Sequence, residues 1–494
     1  MDDMHSAHCK TETVDGGFRG LLKHARNYFS ATMATRALGF ISLPVMTRIL
    51  SPGDYGTLNV FGAYVGLLTV ILCLNAHSAV SRYWYEGTGD FDSFLGTTVS
   101  LVAIILAPAF LVCLVFSGSI GYVLGLPGQL VPVLLVFVLL GIVRSLFRQV
   151  NVPQRKSMLI AKVSVAEAYL GFGAGVLFAV MMTHNRYYGV LWGRAIVGAA
   201  MGAIMIRILL PQYKWAFRRK HLRYILGYAV PLIPYALSGT ILMEFDRIMI
   251  NSYLGAGPAG IYSIAYAIGM LLSLLIEALF TAWLPGYFES MNEKQYARLD
   301  LEVDRFFKLV LVGAMFLMLL GGDIGKVLAG RSYHEGLRLV PVIAFGIIFT
   351  AMWRYWGSNI GYARKTVWTS IIAFAAGFCN IGLNMIFIPR YGYVAAAYTT
   401  VVSYMLMALM AYAISKWVLK LHTPSLVMLL KPLGVLIAVY AAAVILLEVV
   451  RPGVWAAVGV KVLLLGVFVP LIAWRELRRA AAYVPAWMRR GRGD

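Results

Sequence analysis

Apolar residues in this chain fall into about fourteen runs, each long enough to cross a bilayer, since hydrocarbon about 30 Å thick needs roughly 20 apolar residues of helix. The pattern predicts helices near 25–49, 57–82, 94–117, 130–150, 158–183, 188–210, 224–252, 260–284, 305–322, 338–362, 366–388, 392–416, 425–447 and 454–474. The longest polar connection, around 287–305, leaves no room for a soluble domain. An all-α polytopic membrane protein is therefore expected, with its function exercised inside or across the membrane.

The chain also resembles itself at a spacing of 204 residues. Leu50-Ser-Pro-Gly53-Asp-Tyr-Gly56 lies over Leu254-Gly-Ala-Gly257-Pro-Ala-Gly260, Leu67 and Leu68 over Leu271 and Leu272, and Arg186-Tyr187 over Arg390-Tyr391. The offset joins the turn after the first helix to the turn after the seventh. An even number of spans per repeat preserves orientation, which implies a parallel pseudo-repeat about an axis along the membrane normal. The expected organisation is an N-terminal tail over 1–24, an N-lobe over 25–210 (helices 1–6), a C-lobe over 224–416 (helices 7–12), two appended helices over 425–474 and a basic tail over 475–494.

Composition agrees with lipid solvation: 60% of residues are hydrophobic and 13% charged, against roughly 25% charged in soluble domains. The formal charge of +21 does not point to nucleic acid. With the N-terminus inside, about 30 of the 43 basic residues fall on cytoplasmic segments, the distribution that cytoplasmic loops of membrane proteins adopt. Lys10, Arg19, Lys23, Arg26, Arg144, Arg148, Arg155, Lys156, the run Lys214–Lys220 and the C-terminal tail are among them. Both termini are expected in the cytoplasm. Cys73, Cys113 and Cys379 sit in apolar spans and Cys9 in the tail, so none has a disulfide partner in prospect. The first apolar stretch contains Arg36 and lacks a clear small-residue cleavage site, so it reads as a retained helix.

The run Arg36-Ala-Leu-Gly-Phe-Ile-Ser-Leu-Pro44-Val-Met-Thr-Arg48 through Gly56 resembles the first helix and turn of bacterial polysaccharide flippases, the Wzx-like polysaccharide transport family of the MATE/MOP superfamily. Pro231-Leu-Ile-Pro234, Asp246-Arg247 and Ala259-Gly-Ile-Tyr262-Ser-Ile-Ala-Tyr266 are similar to the corresponding family segment. The resemblance implies a flippase that carries an undecaprenyl-pyrophosphate-linked oligosaccharide from the cytoplasmic to the periplasmic leaflet of the bacterial inner membrane. It also implies surface polysaccharide (O-antigen, capsule or exopolysaccharide) as the product, membrane lipids as surroundings, and polysaccharide polymerase and chain-length or export machinery as partners. The sugar does not carry over.

Charges inside spans are costly by at least about 2.5 kcal/mol each, so those that persist face a cavity or a partner. Arg36, deep in the first helix, with Arg48, Arg194, Arg247 and Arg354, forms a candidate set for pyrophosphate and glycan, because the planar guanidinium grips phosphate oxygens two at a time and stays protonated. All but Arg36, whose depth makes snorkelling difficult, have a plainer explanation: Arg48 and Arg194 are shallow enough to snorkel, Arg247 stands three residues from Glu244, and Arg354 sits among Trp353, Tyr355 and Trp356. Glu167, Asp246, Glu244 and Glu277 are the candidate ion-coupling groups, since a carboxylate within a span can exchange a proton or hold sodium. Asn380 and Asn384 share a helix face, which polar helix packing explains equally well.

Enzymatic readings are weak. Gly321-Gly-Asp-Ile-Gly-Lys326 lacks the spacing and the Ser or Thr of a phosphate loop, and His334-Glu335 has no second His at metal-ligand spacing. No catalytic residue, resident metal or cofactor is expected beyond a coupling H+ or Na+. The alternatives are an ion-coupled drug exporter of the MATE type and a membrane glycan polymerase. Polymerases usually carry a large external loop, whereas the first external loop here is expected to be only 51–56.

Overall fold

In the computed structural model, which describes residues 34, 35, 37–87 and 89–483, with side chains as far as Trp474, the regular elements are helical throughout. They run α1 (Ala37–Ile49), α2 (Pro52–Leu72), α3 (His77–Glu86), α4 (Phe91–Val115), α5 (Ser117–Leu124), α6 (Leu130–Asn151), α7 (Ser157–Met181), α8 (Tyr187–Leu209) and α9 (Arg219–Ala229). They continue through α10 (Ile233–Leu254), α11 (Ala256–Gly269), α12 (Leu271–Asn292), α13 (Tyr296–Leu328), α14 (Val340–Tyr362), α15 (Val367–Tyr391), α16 (Val394–Ala413), α17 (Leu426–Val450) and α18 (Val454–Tyr483). Among the described residues, thirteen helical segments are long and apolar enough to span a membrane. The expected first span is described only in part. Leu111, Val115, Leu177, Ile196 and Leu463 lie on exposed helix surfaces, as a lipid-solvated exterior requires. The chain is an all-α, multi-pass membrane protein.

Three expected helices prove to be interrupted. The segment expected at 57–82 divides into α2 and α3, with Leu74 and Asn75 in the left-handed region at φ 48° and 53°, a conformation that asparagine tolerates better than most residues. The segment at 224–252 begins instead as the amphipathic α9, which buries His221, Ile225 and Ala229 on one face. A 3₁₀ turn at Val230–Leu232, which contains Pro231, then separates it from α10. The segment at 260–284 is α11 followed by α12. The stretch around 287–305, expected to be the longest loop, is mostly helical. The first turns of α13 are held by Arg298–Glu302 at 2.9 Å and Lys308–Asp304 at 2.6 Å, pairs spaced i,i+4 that support a helix where apolarity does not.

The external loop expected at 51–56 is also largely helix. Ser51 caps α2 reciprocally: its Oγ accepts from Asp54 N at 3.1 Å, and Asp54 Oδ2 accepts from Ser51 N at 3.3 Å, the arrangement of a capping box. Pro52 follows at the first helical position, where its missing N–H costs nothing.

Two compact units are present. One comprises the described residues up to Ile49 and Tyr64–Ile233; the other comprises Leu50–Ala63 and the chain from Pro234 onward. Within the second unit the repeat has a physical counterpart. A Cβ on Gly56 would lie 1.8 Å from the carbonyl oxygen of Ala256, and one on Gly260 would lie 2.0 Å from that of Pro52. Gly56 and Gly260 stand 204 residues apart, as do Pro52 and Ala256, so the two matched turns cross each other reciprocally, and only glycine permits the approach.

In the first unit, the segment leading into α9 lies across α4. Lys214 N donates to Asp92 O at 3.2 Å, Arg218 N donates to Thr97 Oγ1 at 3.3 Å, and a Cβ on Gly96 would meet Lys214 O at 1.9 Å. The pair α17 and α18 packs on α13 in the second unit, where Lys461 meets Asp323 at 2.5 Å.

Candidate functional site

In the first unit, α7 and α8 approach closely because glycine faces the contact from both sides. A Cβ on Gly189 would lie 2.6 Å from the backbone of Phe178 and Ala179, and one on Gly193 would lie 2.5 Å from the Ala174 carbonyl. Without a hydrophobic force between helices in lipid, such small-residue contacts hold spans together. Beside this pair lies a cavity of about 700 Å³, which α1 lines with Thr35, Leu38, Gly39 and Ser42, α6 with Arg144, Ser145 and Arg148, α7 with Ser164 and Glu167, and α8 with Arg194. Arg144 Nη1 stands 3.3 Å from Glu167 Oε1. The Arg144 side chain is 43% exposed and that of Glu167 13%, so of the two residues that line the cavity the acid is the more enclosed.

Arg194 and Glu167, taken from sequence as separate candidates, thus share one cavity. Arg144 and Arg148 were counted among loop charges because they lie near the end of an expected helix. The signal that could have found them is their i,i+4 spacing, which places both on one face of α6.

The second unit holds a buried polar network around Asp246. Its Oδ2 accepts from Tyr262 Oη at 2.7 Å and Thr400 Oγ1 at 2.6 Å, and its Oδ1 accepts from Asn384 Nδ2 at 2.7 Å. Asn384 Nδ2 also reaches Asn380 Oδ1 at 3.2 Å, and Thr399 donates to Asn384 Oδ1. Tyr266 and Tyr404 pair through their hydroxyls at 3.0 Å alongside. Asp246 is 3% exposed and meets neutral donors. The Asn380/Asn384 face noticed in the sequence therefore belongs to a charged site; Tyr262, Thr399 and Thr400 came from no sequence signal.

Arg247 and Arg354 are each held in a pair with a candidate acid. Arg247 contacts Glu244, donates to Met243 O at 3.0 Å and lies over the Tyr266 ring at 4.9 Å. It is 8% exposed and buried against its neighbours. Arg354 and Glu277 meet at 2.6 Å between α14 and α12, half-exposed, so a cargo candidate and a coupling candidate neutralise each other. Arg48 is exposed and donates to Pro44 O at 2.8 Å; it does not line the cavity. Arg36 lies outside the described residues. Cys73, Cys113 and Cys379 are free thiols, and among the described residues no three His, Cys, Asp or Glu side chains gather as a metal site.

At the spacing of 204, Arg144, Glu167 and Arg194 fall over Ile348, Ile371 and Tyr398, and Asp246, Asn384 and Thr400 fall over Ser42, Val180 and Ile196. The repeats have therefore diverged chemically: the basic cavity belongs to the first and the buried acid to the second.

These features define a polytopic membrane protein built on a transporter fold. The chain matches the family described as "Polysaccharide biosynthesis protein" over residues 21–291 and belongs to that family, in keeping with its resemblance to the Wzx-like flippases of the MATE/MOP superfamily. It is 22% identical over 411 residues to the capsular polysaccharide biosynthesis protein CapF of Staphylococcus aureus, covering 79% of this chain and 98% of that protein. It is 21% identical over 393 residues to Lsg locus putative protein 1 of Haemophilus influenzae, covering 75% and 93%. Its fold is shared with the lipid II flippase MurJ in an inward closed conformation, at a TM-score of 0.72 and 15% identity, over 91% of this chain and 99% of that one. It is shared also with an inward-facing MATE family multidrug transporter, at a TM-score of 0.61 and 13% identity, over 78% and 94%.

Proposed function

We propose that this protein flips an undecaprenyl-pyrophosphate-linked oligosaccharide from the cytoplasmic to the periplasmic leaflet of a bacterial inner membrane by alternating access, supplying surface polysaccharide synthesis. The observation that carries the reading is the cavity where Arg144, Arg148 and Arg194 stand against a single acid, Glu167. A pyrophosphate needs several cationic donors at once, and arginine offers paired N–H groups that remain charged when partly desolvated. The family and the fold shared with a lipid II flippase support the same substrate class. A cationic drug, the cargo of the MATE alternative, would meet net repulsion in this cavity.

Asp246 is the proposed coupling group. A buried carboxylate with the Tyr262 and Thr400 hydroxyl oxygens beside it offers hard oxygen ligands suited to sodium, and it serves a proton equally. Coupling by H+ or Na+ then acts in the second repeat while cargo is held in the first. The loop charges orient both termini to the cytoplasm. Polymerase and chain-length or export machinery are the proposed partners downstream.

The test is depletion of the protein in the native cell, followed by leaflet-resolved analysis of the lipid fraction. Repeat units on their pyrophosphate lipid should accumulate facing the cytoplasm, with loss of the surface polymer. Unchanged surface polymer, or accumulation on the periplasmic face, contradicts the reading.

A further inference from the structure

Building on the reading of the basic cavity as a pyrophosphate site, we infer that Glu167 and the cargo's pyrophosphate compete for Arg144, so that loading the cavity places a proton on Glu167. The geometry is specific. Glu167 Oε1 is 3.3 Å from Arg144 Nη1, and of the two residues that line the cavity the acid is the more enclosed. An anion that enters meets the exposed side of Arg144 first.

The guanidinium has five N–H donors in a fixed plane. If the pyrophosphate takes those that held Glu167, the carboxylate loses its countercharge. If it takes the others, two anions share one cation. Both outcomes favour the neutral acid, because a like charge nearby penalises the ionised form and withdrawal of an opposite charge removes its support. The facing groups supply no second acid: α6 contributes Arg144 and Arg148, α8 contributes Arg194, and the described α1 residues at the cavity are uncharged. The proton comes from solvent onto a carboxylate oxygen of Glu167, and no covalent bond of the cargo changes.

Cargo and proton therefore load together in this unit. Deprotonation of Glu167 restores its claim on Arg144 and favours release.

Isothermal titration of the full-length protein in lipid nanodiscs tests the linkage, with inorganic pyrophosphate and farnesyl pyrophosphate as probes, in two buffers that differ in ionisation enthalpy. Wild type should take up more protons per bound probe than Glu167→Gln, the difference isolating Glu167 from protons carried by the probe itself. Glu167→Gln should bind on the order of tenfold tighter, because it removes the one acid that competes with the probe for Arg144. If that variant is not recovered folded, Glu167→Ala carries the same expectation. Equal proton counts in wild type and variant, with binding intact, overturn the competition and leave the cargo reading standing. Binding that is absent, or indifferent to Arg194→Gln, overturns the cargo reading and the competition with it.

Discussion

Replacing Arg194 and Arg144 together by glutamine should eliminate export of the surface polymer, and Arg194→Gln alone should lower it by about tenfold or more. A hydrogen bond to a charged group contributes about 1.5–3 kcal/mol, so each lost guanidinium corresponds to roughly a tenfold to hundredfold loss in cargo affinity, since 1.4 kcal/mol is about a factor of ten. Arg194→Lys should keep part of the activity: it preserves charge but offers a point donor in place of a planar fork. The measurement is surface polysaccharide per unit of membrane-inserted protein, the latter read by detergent size-exclusion of a fluorescent fusion. Normal export from a normally inserted double variant would remove this cavity from the cargo path.

The second large effect is expected at Asp246. Asp246→Asn retains shape while losing charge and titration, and it exchanges one of the two acceptor oxygens for an amide donor. The variant should insert and bind cargo yet show no acceleration of flipping by an imposed proton or sodium gradient. Asp246→Leu should behave differently. It removes the acceptor on which the Tyr262 and Thr400 hydroxyls and the Asn384 amide converge, and a buried hydroxyl such as that of Tyr262 left unpaired costs about 1–3 kcal/mol. Loss of inserted protein is the outcome there. Gradient-stimulated flipping at the wild-type rate in Asp246→Asn rejects this acid as the coupling group.

The spans were legible in the sequence because a bilayer demands long apolar runs and little else produces them. The repeat was legible because both turns need glycine: Gly56 and Gly260 each face a carbonyl oxygen at a distance that excludes any side chain. The breaks were less legible. At the first break Asn75, His77 and Ser78 interrupt the apolar pattern, and at the second Pro231 and Pro234 do; in both, the surrounding apolarity outweighed the warning.

Pairings were the least legible. Glu167 finds Arg144 on another helix, and Asp246 finds Asn384 and Thr400 on α15 and α16, contacts far apart in the chain that no local pattern encodes. Arg247 and Glu244, three residues apart, are the exception, and there the plain reading of an intrahelical pair matches the geometry. Hydropathy thus located the candidate charges, while only the packing of α1, α6, α7 and α8 separated those lining a cavity from those that neutralise each other.

The central claim is translocation itself, and its most direct measurement uses purified protein in liposomes with a fluorescent lipid-linked oligosaccharide on a polyprenyl pyrophosphate. An impermeant quencher or glycan-modifying enzyme reports which leaflet holds the label. The account predicts that the protected fraction becomes accessible only in vesicles containing the protein, faster under an imposed cation gradient, and that Arg144→Gln/Arg194→Gln vesicles stay at the protein-free rate. Protected label that remains at the protein-free rate with folded wild-type protein present, under proton and sodium gradients of either direction, contradicts it.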